Sequence, residues 1–200
     1  AAVSDTGSSA AFVLMWPPDG PEASTVYMPF QDRDGVFWFG TGFWGKPGRG
    51  VVRYDPRIES REGSSAPAGK AWTTFATEDG LAGDKVFSTF QDRDGVFWFA
   101  TFGGVSRYDP SQDRWTTFTA EDGLSDNMVT GVFQDRSGTI WAIHTDIANA
   151  ARYPLSRYEG SGGSSSQQKQ WKPVLIPKRE HSTLFAWSQD RQGNVWYSGY

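Results

Sequence analysis

FQDRDGVFWF stands at Phe30–Phe39 and returns, without one difference, at Phe90–Phe99. Looser copies follow at Phe133–Ala142 (FQDRSGTIWA) and Ser188–Tyr197 (SQDRQGNVWY). Each copy opens a unit too small to bury its own apolar surface, so the units must stack on one another as an array. The anchoring glutamines are Gln31, Gln91, Gln134 and Gln189, 43 to 60 residues apart, and each is followed seven residues later by Trp38, Trp98, Trp141 or Trp196. Periods near 40–50 among all-β repeats belong to propellers.

Within a unit the residues spell four strands. In the second, strand A is expected over Val86–Gln91 and strand B over Val96–Ala100, joined by Asp92–Gly95. Aspartate there caps the local backbone and glycine accepts positive φ, so Asp32, Asp92, Asp135 and Asp190, with Gly35, Gly95, Gly138 and Gly193, are read as structural turn residues. Strand C is expected over Val105–Tyr108, stopped by Asp109-Pro110, and strand D over Trp115–Phe118. VFWF in strand B is apolar at consecutive positions, which predicts a sheet buried on both faces with the tryptophan wedged between neighbours.

The same ruler places an orphan outer strand at 12–16, blades at 26–75, 86–118 and 128–175, and a partial blade at 184–200, after a disordered stretch at 1–11. The expected fold class is therefore an all-β propeller segment of four-stranded antiparallel blades, three full and partial at both ends. Completion of the last blade by Phe12–Trp16, closing a small four-bladed ring, is the alternative.

Aromatics form 16% of the chain, including 10 tryptophans, which supplies an ample core. A net charge of -4 argues against a nucleic-acid or anionic-membrane surface, and no apolar run is long enough to cross a bilayer. Cysteine is absent, which removes disulfides, thiolate metal sites and cysteine nucleophiles.

VFSTFQDRDGVFWFATFGGVSRYDP, with EDGL after it, resembles the two-component regulator propeller repeat. The first unit keeps WFGT and VVRYDP, whereas the third departs after Trp141, with AIHTD for FGT and Arg157-Tyr158-Glu159 for RYD. The resemblance implies an extracytoplasmic, periplasmic sensor region of bacterial histidine kinases or hybrid two-component systems. It also implies a glycan or other small ligand and a downstream signalling module or protein partner.

Several constellations have plainer readings. Asp32-x-Asp34-Gly35 and its copy lack the later bidentate glutamate of a calcium loop. Arg53, Arg107 and Arg157 recur in every unit, which suggests a shared structural pairing, with the QDR aspartates as candidate partners. Glu78-Asp79 and Glu121-Asp122 read as turn residues. The two histidines, His144 and His181, form no legible nucleophile–base set or metal site, so neither catalysis nor a cofactor is expected. The B–C connections are the candidate ligand site, because propellers gather them with the D–A connections around the channel mouth. They carry Phe43, Trp44, Lys46 and Arg49, then Phe102, then His144, Asp146 and Asn149. Aromatic faces with flanking polar donors suit a sugar ring; packing over the blade edge is the competing use of the aromatics. A protein-interaction scaffold without a small ligand, and a propeller lyase or hydrolase, are the competing functions.

Overall fold

The structure, a computed structural model, describes residues 2–3, 12–13, 26–42, 45–59, 71–144, 155–160, 170–174, 184–189 and 195–199. The described chain is all-β apart from short helical turns. Its strands are β1 (Ala2–Val3), β2 (Phe12–Val13), β3 (Val26–Gln31), β4 (Phe37–Thr41), β5 (Val51–Tyr54), β6 (Trp72–Phe75), β7 (Val86–Gln91) and β8 (Phe97–Thr101). They continue as β9 (Gly104–Asp109), β10 (Arg114–Phe118), β11 (Val129–Gln134), β12 (Ile140–His144), β13 (Leu155–Tyr158), β14 (Trp171–Val174), β15 (Leu184–Gln189) and β16 (Val195–Gly199). β3 to β6, β7 to β10 and β11 to β14 form three antiparallel sheets in simple up-and-down order, the blades of an incomplete propeller.

At the N-terminal end the pairing differs from the expected one, whereas the partial blade at the other end pairs as expected. β1 lies in the stretch expected to be disordered, yet it pairs with β2, because the valines there suit an antiparallel ladder that satisfies their backbone groups. β2 is the described part of the expected outer strand, and it joins β1 rather than a blade. β15 pairs with β16. Strand B of the second blade begins one residue later than expected, since Val96 N–H turns to the Asp92 carboxylate instead of entering the ladder.

The repeated turn explains the repeated sequence. Asp92 Oδ1 accepts from the Asp94 and Val96 N–H groups, both at 3.0 Å, and Oδ2 accepts from Trp98 Nε1 at 2.7 Å. Asp32 does the same for Asp34, Val36 and Trp38. Asp135 takes the Thr139 N–H, the Ser137 hydroxyl and Trp141 Nε1. Burial alone would raise the Asp135 pKa; the hydrogen bonds from Ser137 and Trp141 outweigh it and hold the carboxyl below its ordinary range. Asp190 and Gly193 lie outside the described residues, as does the side chain of Trp196.

The aspartates are therefore already committed, and the strand-C arginines find other partners. Arg53 bonds Asp55 at 3.0 Å, Arg107 bonds Asp109 at 3.3 Å, and Arg157 bonds Glu159. Residues two apart on a strand share a face, so the acid that follows is the nearer anion. The three arginines lie opposite Trp38, Trp98 and Trp141 across the B–C ladder. Two of them, Arg53 and Arg107, carry the guanidinium 6.0 Å from the indole centroid.

Consecutive blades are wedge-shaped sectors. At the inner strands β4 and β7 the backbones touch, and a Cβ on Gly40 would collide with the Val86 carbonyl. Further out, rings hold the sheets apart: Trp38 meets Phe97 at 4.6 Å, and Phe75 meets Trp115 at 5.4 Å. Trp98 similarly meets Tyr158 and Trp171 of the third blade edge-on. Trp38 and Trp98 are buried, and all of Val96 to Ala100 is buried, as expected of a strand covered on both faces.

The remaining residues of the QDR motif lock one blade to the next. Gln91 donates to its own turn at Gly95 and accepts from the backbone N–H of Arg33 in the preceding blade. The Arg33 guanidinium donates to the carbonyls of Asp92 and Arg93 at 2.7 and 3.0 Å. Arg93 repeats this forward, onto Gln134 and the carbonyls of Asp135 and Arg136. Arg93→Ala is expected to lower stability in urea by about 1 kcal/mol, since exposed acceptors recover water. An unchanged midpoint would reduce the clasp to an incidental surface contact.

Candidate functional site

At the end of the blades opposite the QDR turns, the connections between strands B and C meet those between D and A. The two described D–A connections each begin as a tight helical turn. Asp79 and Asp122 accept the N–H of Ala76 and Thr119, so these carboxylates close backbone turns, as expected of Glu78-Asp79 and Glu121-Asp122. Gly80 takes φ of +113°, and its missing Cβ leaves room for Trp115. Leu81 and Leu124 then plug the core. The connection continues to Asp84, whose carboxylate accepts from the Thr77 N–H at 2.9 Å.

The first B–C loop lies directly on this segment. Gly50 N–H donates to the Asp84 carbonyl at 2.8 Å, and Gly48 approaches so closely that any Cβ would overlap that carbonyl. The second B–C loop is a bare turn, and Phe102 N–H donates to the Lys85 carbonyl at 3.2 Å. The backbones bearing Arg49, Lys85 and Phe102 thus converge on one patch. Lys46 and Arg49 are exposed. Phe102 is half-buried: its ring stacks on Phe87 at 4.3 Å and carries the Lys85 ammonium at 5.7 Å. The ring is the holder of a cation rather than a bare platform.

The third loop contributes differently from the expectation. Thr41 and Thr101 end strand B by closing their own loops. Thr41 bonds the Gly50 carbonyl and the Arg49 N–H; Thr101 bonds the Gly104 carbonyl and the Gly103 N–H. His144 occupies the same position but is only 1% exposed, so it does not line the mouth. Its Nε2 lies 2.9 Å from Ser156 Oγ, which also accepts from the Ser125 N–H. Burial pushes the His144 pKa down to about 4, against a small opposing effect of the Asp126 backbone, although Nδ1 has no partner at hydrogen-bonding distance. Serine beside histidine is the pairing of nucleophilic catalysis, but both side chains are sealed from any substrate, and the Asp126 carboxylate is engaged by the Met128 N–H.

Of the expected site residues, the structure brings together Arg49 and Phe102, and Lys46 is exposed on the same loop as Arg49. Phe43, Trp44, Asp146 and Asn149 lie outside the described residues. Sequence reasoning missed Lys85 and Phe87, because both sit in segments read as connection and strand. Their signal was available: Lys85 stands where the next unit has Met128, and Phe87 where it has Thr130. Among the described residues, no group of three His, Cys, Asp or Glu could hold a metal, and no helix is long and apolar enough to cross a membrane.

A second concavity, of about 290 Å³, lies between the first two blades at the QDR end. Asp34, Arg53, Arg57 and Tyr108 are among its lining residues. Both arginines are already bonded to Asp55. The hydrogen bond from Arg57 holds the Asp55 carboxyl down at about 2, with Arg53 adding a smaller Coulombic pull, so this charge serves the seam between blades.

The two component regulator propeller family matches residues 80–103, from the first D–A connection through the second B–C turn. Among solved structures, the extracellular domain of a protein assigned to the hybrid two-component systems of B. thetaiotaomicron is similar. It is 20% identical, with 98% of this chain and 23% of that one covered, at a TM-score of 0.62. A catalytically inactive virginiamycin B lyase from Staphylococcus aureus with quinupristin is similar at 13% identity, 88% and 49% coverage, and a TM-score of 0.58. At these identities the likeness is one of fold, and this chain spans under a quarter to about half of those proteins. No curated protein matches the chain.

Proposed function

From a chain carrying a two-component regulator propeller repeat at residues 80–103, we propose a non-catalytic, ligand-recognising propeller of an extracytoplasmic sensor, responsive to carbohydrate. The supporting observation is the loop face: Arg49, Lys85 and Phe102 depart from the repeat and gather at one end of the blades, with Lys46 on the same loop as Arg49. Ligand held there would change how the propeller packs on a downstream module and so bias that module between two states.

Calorimetric titration of this chain with a panel of neutral and charged oligosaccharides tests the reading. Binding of at least one sugar is expected, weakened tenfold or more in a Lys46→Ser/Arg49→Ser double variant. Absence of binding across the whole panel would remove carbohydrate sensing and leave the scaffold role.

A further inference from the structure

We infer that the mouth between the first and second blades selects acidic saccharides, those bearing carboxylate or sulfate, through Lys46, Arg49 and Lys85. The inference rests on the carbohydrate reading above and names the class of sugar.

It begins with where positive charge is spent. Among the described residues, Arg53, Arg57, Arg107 and Arg157 pair with carboxylates. Arg33 and Arg93 are bound to the carbonyls of the following turn. Lys46, Arg49 and Lys85 have no carboxylate partner in any ion pair among the described residues; the backbones of Arg49 and Lys85 adjoin, and Lys46 is exposed on the same loop as Arg49. Of the remaining described cations, Arg114 and Lys172 lie on the outer strands β10 and β14, and Arg136 lies in the QDR turn of the third blade, at the end opposite the mouth. In a protein of net charge -4, three unpaired cations at one loop junction form a local field of the opposite sign.

The geometry holds the Lys85 ammonium and the Arg49 backbone in place. The closest carboxylate along the chain, Asp84, is turned away to cap Thr77, so it does not neutralise Lys85 beside it. Phe87 is buried and fixes the Phe102 ring by stacking; Phe102 in turn carries the Lys85 ammonium. Gly48 allows the first loop to lie against the Asp84–Lys85 backbone, which brings the neighbouring Arg49 to the same place, and Gly42 leaves room for Gly48 and the Lys85 stem. The repeat does not require these residues: Arg49 corresponds to Gly103, Lys85 to Met128, and Lys46 belongs to an insertion. With the Phe102 ring already in use, charge pairing and hydrogen bonding are the recognition chemistry that remains.

Three probes decide it by calorimetry: tetragalacturonate, its fully methyl-esterified form, and a chondroitin sulfate tetrasaccharide. At least one charged probe should bind tenfold or more tighter than the neutral ester, and its affinity should fall steeply between 50 and 300 mM salt. Lys85→Met, which installs the residue of the next blade, and Arg49→Ser should each weaken the charged probe about fivefold or more, with an unchanged urea midpoint. Equal binding of the ester and its acid, or affinity insensitive to both substitutions, overturns the inference. So does failure of both charged probes while neutral sugars of the wider panel bind, an outcome that leaves the carbohydrate reading standing.

Discussion

Asp92→Ala is expected to lower the stability of the chain by about 4 kcal/mol, the largest effect of any single polar substitution in the repeat. The carboxylate is buried and accepts three hydrogen bonds, from Asp94 N–H, Val96 N–H and Trp98 Nε1. Alanine leaves the last two donors unpaired among apolar side chains, each at a cost of about 1–3 kcal/mol, and frees the turn that sets the A–B register. Asp92→Asn should lose roughly half as much, because an amide has one oxygen where the carboxylate has two. Asp32→Ala should lose less than Asp92→Ala, since the equivalent site in the first blade is only half-buried and water can replace the acceptor. Urea melts followed by tryptophan fluorescence read all three. A loss under about 1 kcal/mol for Asp92→Ala would mean that the turn holds its register without the carboxylate.

Acid should weaken the third blade before it weakens the others. His144 has its pKa lowered from 6.5 to about 4 in the folded chain, so the unfolded chain binds its proton first as pH falls. Its contribution is fully present above pH 6.5 and drains away as pH drops towards 4, a loss on the order of 3 kcal/mol. Asp55 and Asp135, whose carboxyls are held low by their partners, act towards the acid end of this window and below it. His144→Thr, the residue of the two preceding blades, should flatten stability between pH 6.5 and 4 to within about 1 kcal/mol. Urea midpoints at pH 7.5, 5.5 and 4.5 make the comparison. Parallel slopes for the two proteins would place the acid sensitivity elsewhere.

The strand order and most of the core were legible because the repeat writes the same physics several times. VFWF announced a sheet buried on both faces, and DRDG announced its turn; Val96 to Ala100 and the Asp92 network match both. The partner of Arg107 was not legible, because the motif shows only that an arginine recurs. That Asp92 is saturated by an indole six residues away becomes visible only when the strand folds back. His144 misled for a related reason. A lone histidine after a strand looks like a loop residue, but threonine at the two equivalent positions marks the site as an interior loop lock. Lys85 escaped because it owes its place to the Phe102 ring, a contact between separate strands that periodicity does not encode.

The forward reach of Arg33 and Arg93 gives the junction between blades a direction: the first turn gives its guanidinium to the second, and the second gives its own to the third. A head-to-tail junction of this kind needs no knowledge of how many partners precede it, so the decapeptide duplicated verbatim at Phe30–Phe39 and Phe90–Phe99 behaves as an interchangeable part. Gene duplication can therefore lengthen such an array by copying a unit whole, because the copied unit arrives with half of each joint already in place.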